Sequence, residues 1–161
     1  MGKVLSRDNL EKELTTLRAR SPNLKIVFTN GCFDLLHVGH VQYLREARKL
    51  GDLLVLGLNS DASVRVLKGP TRPLQNENDR SEIMAELRSV DYVSVFAEET
   101  PLELIQKVKP NVLVKGGDWK IEQIVGADFV QKNGGQVFSL CLVEGKSTTK
   151  LVEKAKGFPF G

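Results

Sequence analysis

The chain has 161 residues, of which 41% are hydrophobic and 27% charged, and a formal net charge of +3. Such totals fit one globular domain with a real core, and +3 is too small to call for nucleic acid or an anionic membrane as partner. No stretch nears the ~20 apolar residues of a membrane span, Met1-Gly2-Lys3-Val4 lacks a signal peptide's apolar run, and Cys32 and Cys141 are too few for a disulfide framework, so a cytoplasmic protein with free thiols is expected.

Residues 7–20 read as an amphipathic helix, with Ser6 as N-cap and Leu10, Leu14 and Leu17 on one face. Ser21-Pro22-Asn23 ends it, and residues 24–29 form a strand broken by Asn30-Gly31. Residues 38–50 form a helix with Val41, Leu44, Ala47 and Leu50 inward, stopped by Gly51. The apolar run 53–58 suits a strand buried on both faces. A short helix opens at Ser60 or Asp61 and fades by Lys68.

Residues 68–78 carry Gly69, Pro70, Pro73 and three amide side chains, a long loop for a compact domain and therefore mobile or functional. A helix over 79–89 and a strand over 91–96 follow. Thr100 as N-cap and Pro101 at the first helical position open a helix to Lys109. Then come a strand over 111–115, the turn Gly116-Gly117-Asp118-Trp119, a helix over 121–132 capped by Gly134-Gly135, a strand over 136–140 and a helix over 147–156.

Five strands alternating with helices predict an α/β fold, a Rossmann-like five-stranded parallel sheet with helices on both faces. One domain spans 1–161, with an N-terminal helical segment at 1–23 and a loosely held tail at 157–161. Ligands on such sheets bind beyond the carboxyl ends of the strands. The polar and glycine-rich breaks at 30–40, 59–61, 68–72, 115–119 and 144–149 are therefore expected to line one cleft.

The chain has two histidines, His37 and His40, three apart at a helix start that follows a buried strand and a glycine. The positive end of the helix dipole and its free N–H groups suit a phosphate there. Imidazoles donate to phosphate oxygens most strongly when protonated, and Gly39 lets the anion approach the backbone. Two surface histidines paired by chance are the bland alternative. A zinc site is the sharper one; it requires Cys32 or Asp34 as third ligand, and no metal-ligand spacing such as Cys-x-x-Cys is present, so no protein metal site is predicted.

Gly31-Cys32-Phe33-Asp34-Leu35-Leu36-His37-Val38-Gly39-His40 resembles the G-x-F-D-x-x-H-x-G-H signature of the cytidylyltransferase-like nucleotidylyltransferases. Their second motif, Ser-Thr-Thr at the start of the last helix, is matched by Glu144-Gly145-Lys146-Ser147-Thr148-Thr149. Asn59-Ser60-Asp61, Val114 to Trp119, Val125 to Asp128 and Leu142 to Gly145 extend the resemblance over nearly the whole chain. They point to the branch that forms ADP-heptose from ATP and D-glycero-D-manno-heptose 1-phosphate, in the stand-alone form without the sugar kinase often fused to it. The glycerol 3-phosphate cytidylyltransferases usually carry an arginine where this chain has Leu142. The resemblance further implies a homodimer, to which the apolar surface of the first helix is expected to contribute.

On this reading His37 and His40 stabilise charge on an α-phosphate under in-line attack, and Lys68 reaches the α-phosphate or the acceptor phosphate as a loop closes. Ser147, Thr148 and Thr149 with their helix start suit the β- and γ-phosphates, although a plain N-cap would look the same in sequence. Asn30, Gly31, Cys32, Phe33, Gly39, Asn59, Asp61, Lys115, Gly117, Asp118 and Glu144 are the further nucleotide-contact candidates, with Asp61 equally readable as an N-cap. Asp34, Arg80 and Trp119 are candidates for the acceptor side. For Asp34 a local structural role or a metal-bound water is open, for Arg80 a phosphate grip or an exposed salt bridge, and for Trp119 a wall for the base or plain packing. Mg²⁺ is expected with ATP, which supplies most of its ligands. A transferase of the same fold with CTP or another phosphorylated acceptor, and a non-catalytic nucleotide-binding module, are the competing readings.

Overall fold

Alternation of apolar side chains along the central strands sets the architecture. The computed structural model describes residues 1–141 and 145–157. Its strands are β1 (Lys3–Val4), β2 (Ile26–Gly31), β3 (Leu53–Asn59), β4 (Tyr92–Phe96), β5 (Val112–Gly116) and β6 (Gln136–Leu140). All pair in parallel, in the order β1-β4-β3-β2-β5-β6. The helices are α1 (Arg7–Arg20), α2 (Val38–Arg48), α3 (Asp61–Lys68), α4 (Glu77–Ala85), α5 (Leu102–Val108), α6 (Ala127–Lys132) and α7 (Thr148–Lys156).

Successive strand residues point to opposite faces, so one strand feeds two cores. Ile26, Phe28, Val55 and Leu113 join Leu10 and Leu14 of α1, Leu104, Ile105 and Val108 of α5, and Ala127 and Val130 of α6. Val27, Leu54, Leu56, Leu58, Val112 and Val114 join Tyr43, Leu44 and Ala47 of α2 and Met84 and Ala85 of α4. Helices thus cover both faces, as a parallel sheet requires.

The chain winds outward from β2 through β3 to β4, then crosses back to place β5 on the other side of β2. The strand order reverses between β2 and β5, which is where doubly wound sheets open a ligand crevice.

Several local expectations are corrected. The sheet has six strands, not five; β1 is two exposed residues that pair with Tyr92 and Val93, too short to leave a periodic signal. Asn30-Gly31 does not break β2 but completes it, paired with Gly57 and Leu58. In α2, Val41 is exposed and Tyr43 takes the inward position instead, its hydroxyl bonded to Thr29. The loop after α3 is shorter, because Asn76 caps α4 by accepting from Asp79 N at 2.9 Å. Pro101 itself occupies the cap of α5, so the first helical residue is Leu102. The helix expected over 121–132 is divided into a 3-10 turn at Ile121–Gln123 and α6, because Gly126 adopts φ 87° and interrupts the helical path.

The first helix has no apolar face to spare. Leu10 and Leu14 are fully buried under the sheet, and Leu17 packs against the same core. Leu14→Ala is therefore expected to lower the unfolding free energy by about 2–5 kcal/mol, the usual cost of a core truncation. Denaturant titration should give the same loss at low and high protein concentration. A loss confined to low concentration would instead make Leu14 an intermolecular contact.

Candidate active site

At the reversal point, Asn30 is the last residue but one of β2 and Lys115 the last but one of β5. Lys115 Nζ donates to Asn30 Oδ1 at 3.4 Å, and burial pushes its pKa down. Beyond this pair lies a small cleft of about 140 Å³, also lined by Pro101, Trp119, Gln123, Ile124 and Val125. Gly117, at φ 124°, turns the chain here; a β-carbon on it would meet the Trp119 ring at 2.8 Å. Trp119 donates from Nε1 to the Gly116 carbonyl at 3.1 Å and from its backbone N–H to Ser139 Oγ at 3.1 Å. These bonds fix an indole that stays half exposed at the cleft, while Asp118 beside it is exposed.

The connection from β2 to α2 carries both histidines. Phe33 bends it in the left-handed region (φ 43°) and tucks its ring inward, edge-on to His40 with centroids 5.1 Å apart. Gly31 makes room for that ring, since a β-carbon would come within 2.8 Å of it. His37 occupies the N-cap position of α2, but its side chain caps nothing. Instead it stacks on His40, with centroids 3.8 Å apart and planes inclined by 20°. Gly39 permits this, because a β-carbon there would stand 2.9 Å from His37 Nδ1.

Nδ1 of both rings is buried without a hydrogen-bond partner among the described residues. Burial, then the neighbouring His37, then the charge of Lys68 hold the His40 pKa down at about 4. Burial and Lys146 lower that of His37. Both shifts favour the neutral rings near pH 7 in the free protein. Unpartnered buried polar atoms at a helix start beside two cations are arranged for an incoming anion.

Around the pair, several residues expected to touch ligand turn inward. Asp34 is 2% exposed. It accepts from Arg72 Nε at 2.6 Å and from the backbone N–H groups of Leu74 and Gln75 at 2.8 and 3.1 Å. It thus ties the histidine segment to the loop that follows Lys68, the structural alternative of the two left open. Arg80 is 0% exposed, so it is neither a phosphate grip nor a surface salt bridge. It donates to the carbonyl oxygens of Cys32 and Gln75 at 2.6 and 3.0 Å and to Asp61 Oδ1 at 2.7 Å. Ser60, not Asp61, caps α3, and buried Asn59 donates to Ser63 Oγ at 2.8 Å. The Asn59, Asp61, Arg80 and Asp34 side chains are therefore engaged in bonds within the protein.

Lys68 ends α3 with an exposed side chain whose charge acts on His40. In the second motif, Ser147 does cap α7, accepting from Lys150 N at 3.2 Å. Thr148 Oγ1 donates to the Leu35 carbonyl at 3.1 Å, which brings the start of α7 against the histidine segment; Thr149 is exposed. Glu144 and Leu142 lie outside the described residues. Sequence reasoning missed Arg72, the charge of Lys146 acting on His37, and the cleft walls Pro101, Gln123, Ile124 and Val125. Only the unusual length of the 68–78 segment hinted at the first, and the cleft walls look in sequence like ordinary packing residues. Among the described residues, no group of three or more His, Cys, Asp or Glu side chains is placed to hold a metal ion, and no helix is long and apolar enough to cross a membrane.

Comparison with known proteins places this geometry. The family described as Cytidylyltransferase-like matches residues 28–150. Bifunctional protein HldE of Syntrophotalea carbinolica is 57% identical over 153 residues, covering 95% of this chain and 31% of that protein. Bifunctional protein HldE of Trichlorobacter lovleyi is 56% identical with the same coverage. The chain therefore spans about a third of the length of these curated relatives. The crystal structure of the lipopolysaccharide core biosynthesis protein from Thermoplasma volcanium GSS1 superimposes with a TM-score of 0.62 at 30% identity, covering 77% of this chain and 100% of that one.

The lowered His40 pKa carries a stability consequence. A histidine at about 4 when folded binds fewer protons than the unfolded chain, whose histidine titrates near 6.5. Stability is therefore lost as pH falls through the window from 6.5 to 4. His40→Asn should flatten that part of the curve relative to the wild type, in denaturant midpoints measured from pH 7 to 4. Parallel curves would mean that His40 titrates normally.

Proposed function

The chain belongs to the cytidylyltransferase-like family, and from that membership we propose an adenylyltransferase that joins ATP to D-glycero-D-manno-heptose 1-phosphate, giving ADP-heptose and pyrophosphate for a surface polysaccharide such as the lipopolysaccharide core. The observation that carries the transferase reading is the stacked His37/His40 pair, neutral and with unpartnered Nδ1 atoms, at the start of α2 beside the sheet's reversal point. The choice of adenine and heptose rests on the motifs quoted above, and the 30% identical Thermoplasma volcanium structure, described as a lipopolysaccharide core biosynthesis protein, supports the link to core synthesis.

The acceptor phosphate oxygen attacks the α-phosphorus in line; the new P–O bond forms as the bond to the β-phosphate oxygen breaks, and pyrophosphate leaves. The nucleophile is already an anion at neutral pH, so no general base is required. Catalysis then consists of positioning and of stabilising the charge that grows on the α-phosphate and the leaving group. His37 and His40 serve the α-phosphate and Lys68 the α- or acceptor phosphate. The uncommitted N–H groups at the start of α7, with Ser147, Thr148 and Thr149, serve the β- and γ-phosphates. Asn30, Lys115 and Trp119 line the crevice, with Gly117 and Asp118 in the adjoining turn, for the remaining parts of the two substrates. Asp34 and Arg80 act from behind, by holding the segments that carry Lys68 and the histidines.

Mg²⁺ enters with ATP. The phosphates supply most of its ligands, consistent with an Asp34 carboxylate already taken up by Arg72 and two N–H groups. A cytoplasmic homodimer completes the proposal.

Incubation with ATP or CTP and a panel of sugar and polyol phosphates, with pyrophosphate as readout, tests it. Release is expected with ATP and the heptose 1-phosphate. In His40→Ala, kcat should fall about 10²–10³-fold, the usual cost of one transition-state donor, with a much smaller change in KM. Release with CTP but not ATP would overturn the adenylyl assignment, and none with any pair would overturn the enzyme.

A further inference from the structure

A helix that covers a sheet turns its apolar side inward and its polar side to water. In α3 this order is partly reversed. Ser63 and Val64 are buried, with Ser63 Oγ accepting from Asn59 Nδ2 at 2.8 Å, while Ala62, Val66 and Leu67 are exposed. Val66 is 82% exposed and Leu67 56%; among the described residues, only the terminal Met1 exposes a larger share of a large apolar side chain than Val66 does. Beside this ridge runs a groove of about 250 Å³. Ala62, Ser63, Val66 and Leu67 wall it on the α3 side, and Ala97 and Glu99, between β4 and α5, on the other.

We propose that this groove is a docking face for a second copy of the chain, which lays its own α3 across it. The inference rests on the homodimer reading above and is independent of the chemistry assigned to the histidine site. Three observations name the occupant. First, α1 is not available for the contact, because Leu10 and Leu14 are spent on the protein's own core. Second, ridge and groove lie side by side on one helix. About a two-fold axis each copy then fills the groove of the other, which is the self-complementary pattern of an isologous contact. Third, the charges match. Exposed Arg65 stands on α3 and exposed Glu99 on the facing wall. Neither takes part in an ion pair among the described residues. Antiparallel pairing of the two α3 helices brings Arg65 of each copy to Glu99 of the other. Removal of Val66 and Leu67 from water supplies the drive, and the two charge pairs fix the register.

Sedimentation velocity of the full chain over a wide range of concentration tests it. The wild type should sediment as a dimer that dissociates on dilution. Val66→Asp puts a carboxylate into the contact and should leave a monomer at concentrations where the wild type is paired. Its denaturant midpoint, compared with that of dilute wild type, should be unchanged, because in the monomer this side chain already lies in water. Arg65→Glu should raise the dimer Kd about tenfold, since the charge pair occurs twice in a two-fold contact. The exchange Arg65→Glu with Glu99→Arg should restore it. A wild type that stays monomeric at every concentration would overturn the homodimer reading and this face together. A dimer that survives Val66→Asp and Arg65→Glu unchanged would overturn the face alone, as would a charge exchange that restores nothing.

Discussion

Two imidazole rings stacked 3.8 Å apart, with buried nitrogens that find no partner in the described protein, leave this site short of negative charge. Burial and two lysines favour the neutral rings, and in the proposed function an arriving phosphate relieves that state. Buried polar atoms left unsatisfied cost free energy, and a fold retains them where a ligand completes them. The dipole and free N–H groups at the start of α2 act in the same direction.

The surrounding structure exists to hold that arrangement open. Gly39 spares the space in which the His37 ring lies, and Phe33, strained into a positive φ, closes the inner side of His40. Behind them, Asp34 fastens the loop after Lys68 to the histidine segment, and Arg80 joins Cys32, Gln75 and Asp61 in one enclosed set of bonds. A buried guanidinium is costly to desolvate, and three protein acceptors offset this. Its return is positional: the elements after β2, β3 and α3 are locked to one another at the mouth of the sheet.

Much of this was legible in the sequence because it obeys simple periods. The unbroken apolar runs Ile26-Val27-Phe28 and Leu54-Val55-Leu56 announce strands buried on both faces, and caps such as Ser6, Ser60 and Ser147 mark helix starts. The placement of the histidine pair at the start of a helix after a buried strand was legible too. What escaped depends on tertiary contact. Lys3 and Val4 pair through backbone only, and Val41 yields its inward place to Tyr43, which reaches from α2 to Thr29 of β2. Arg80 and Asp34 look like surface charges until each is seen to be enclosed by the other segment's acceptors or donors. The neutrality of the histidines follows from burial, which no spacing encodes.

The central claim is that His37 and His40 are held neutral for an anion to complete. The chain has two histidines, so proton or nitrogen NMR titration of their ring signals is unambiguous in number. In the free protein both should titrate below the ordinary range, with His40 near about 4. With a non-hydrolysable ATP analogue and Mg²⁺ bound, both should move upward, because the charged form gains phosphate partners. Pairs that titrate near 6.5 in the free protein, or that do not shift when nucleotide binds, would contradict the account.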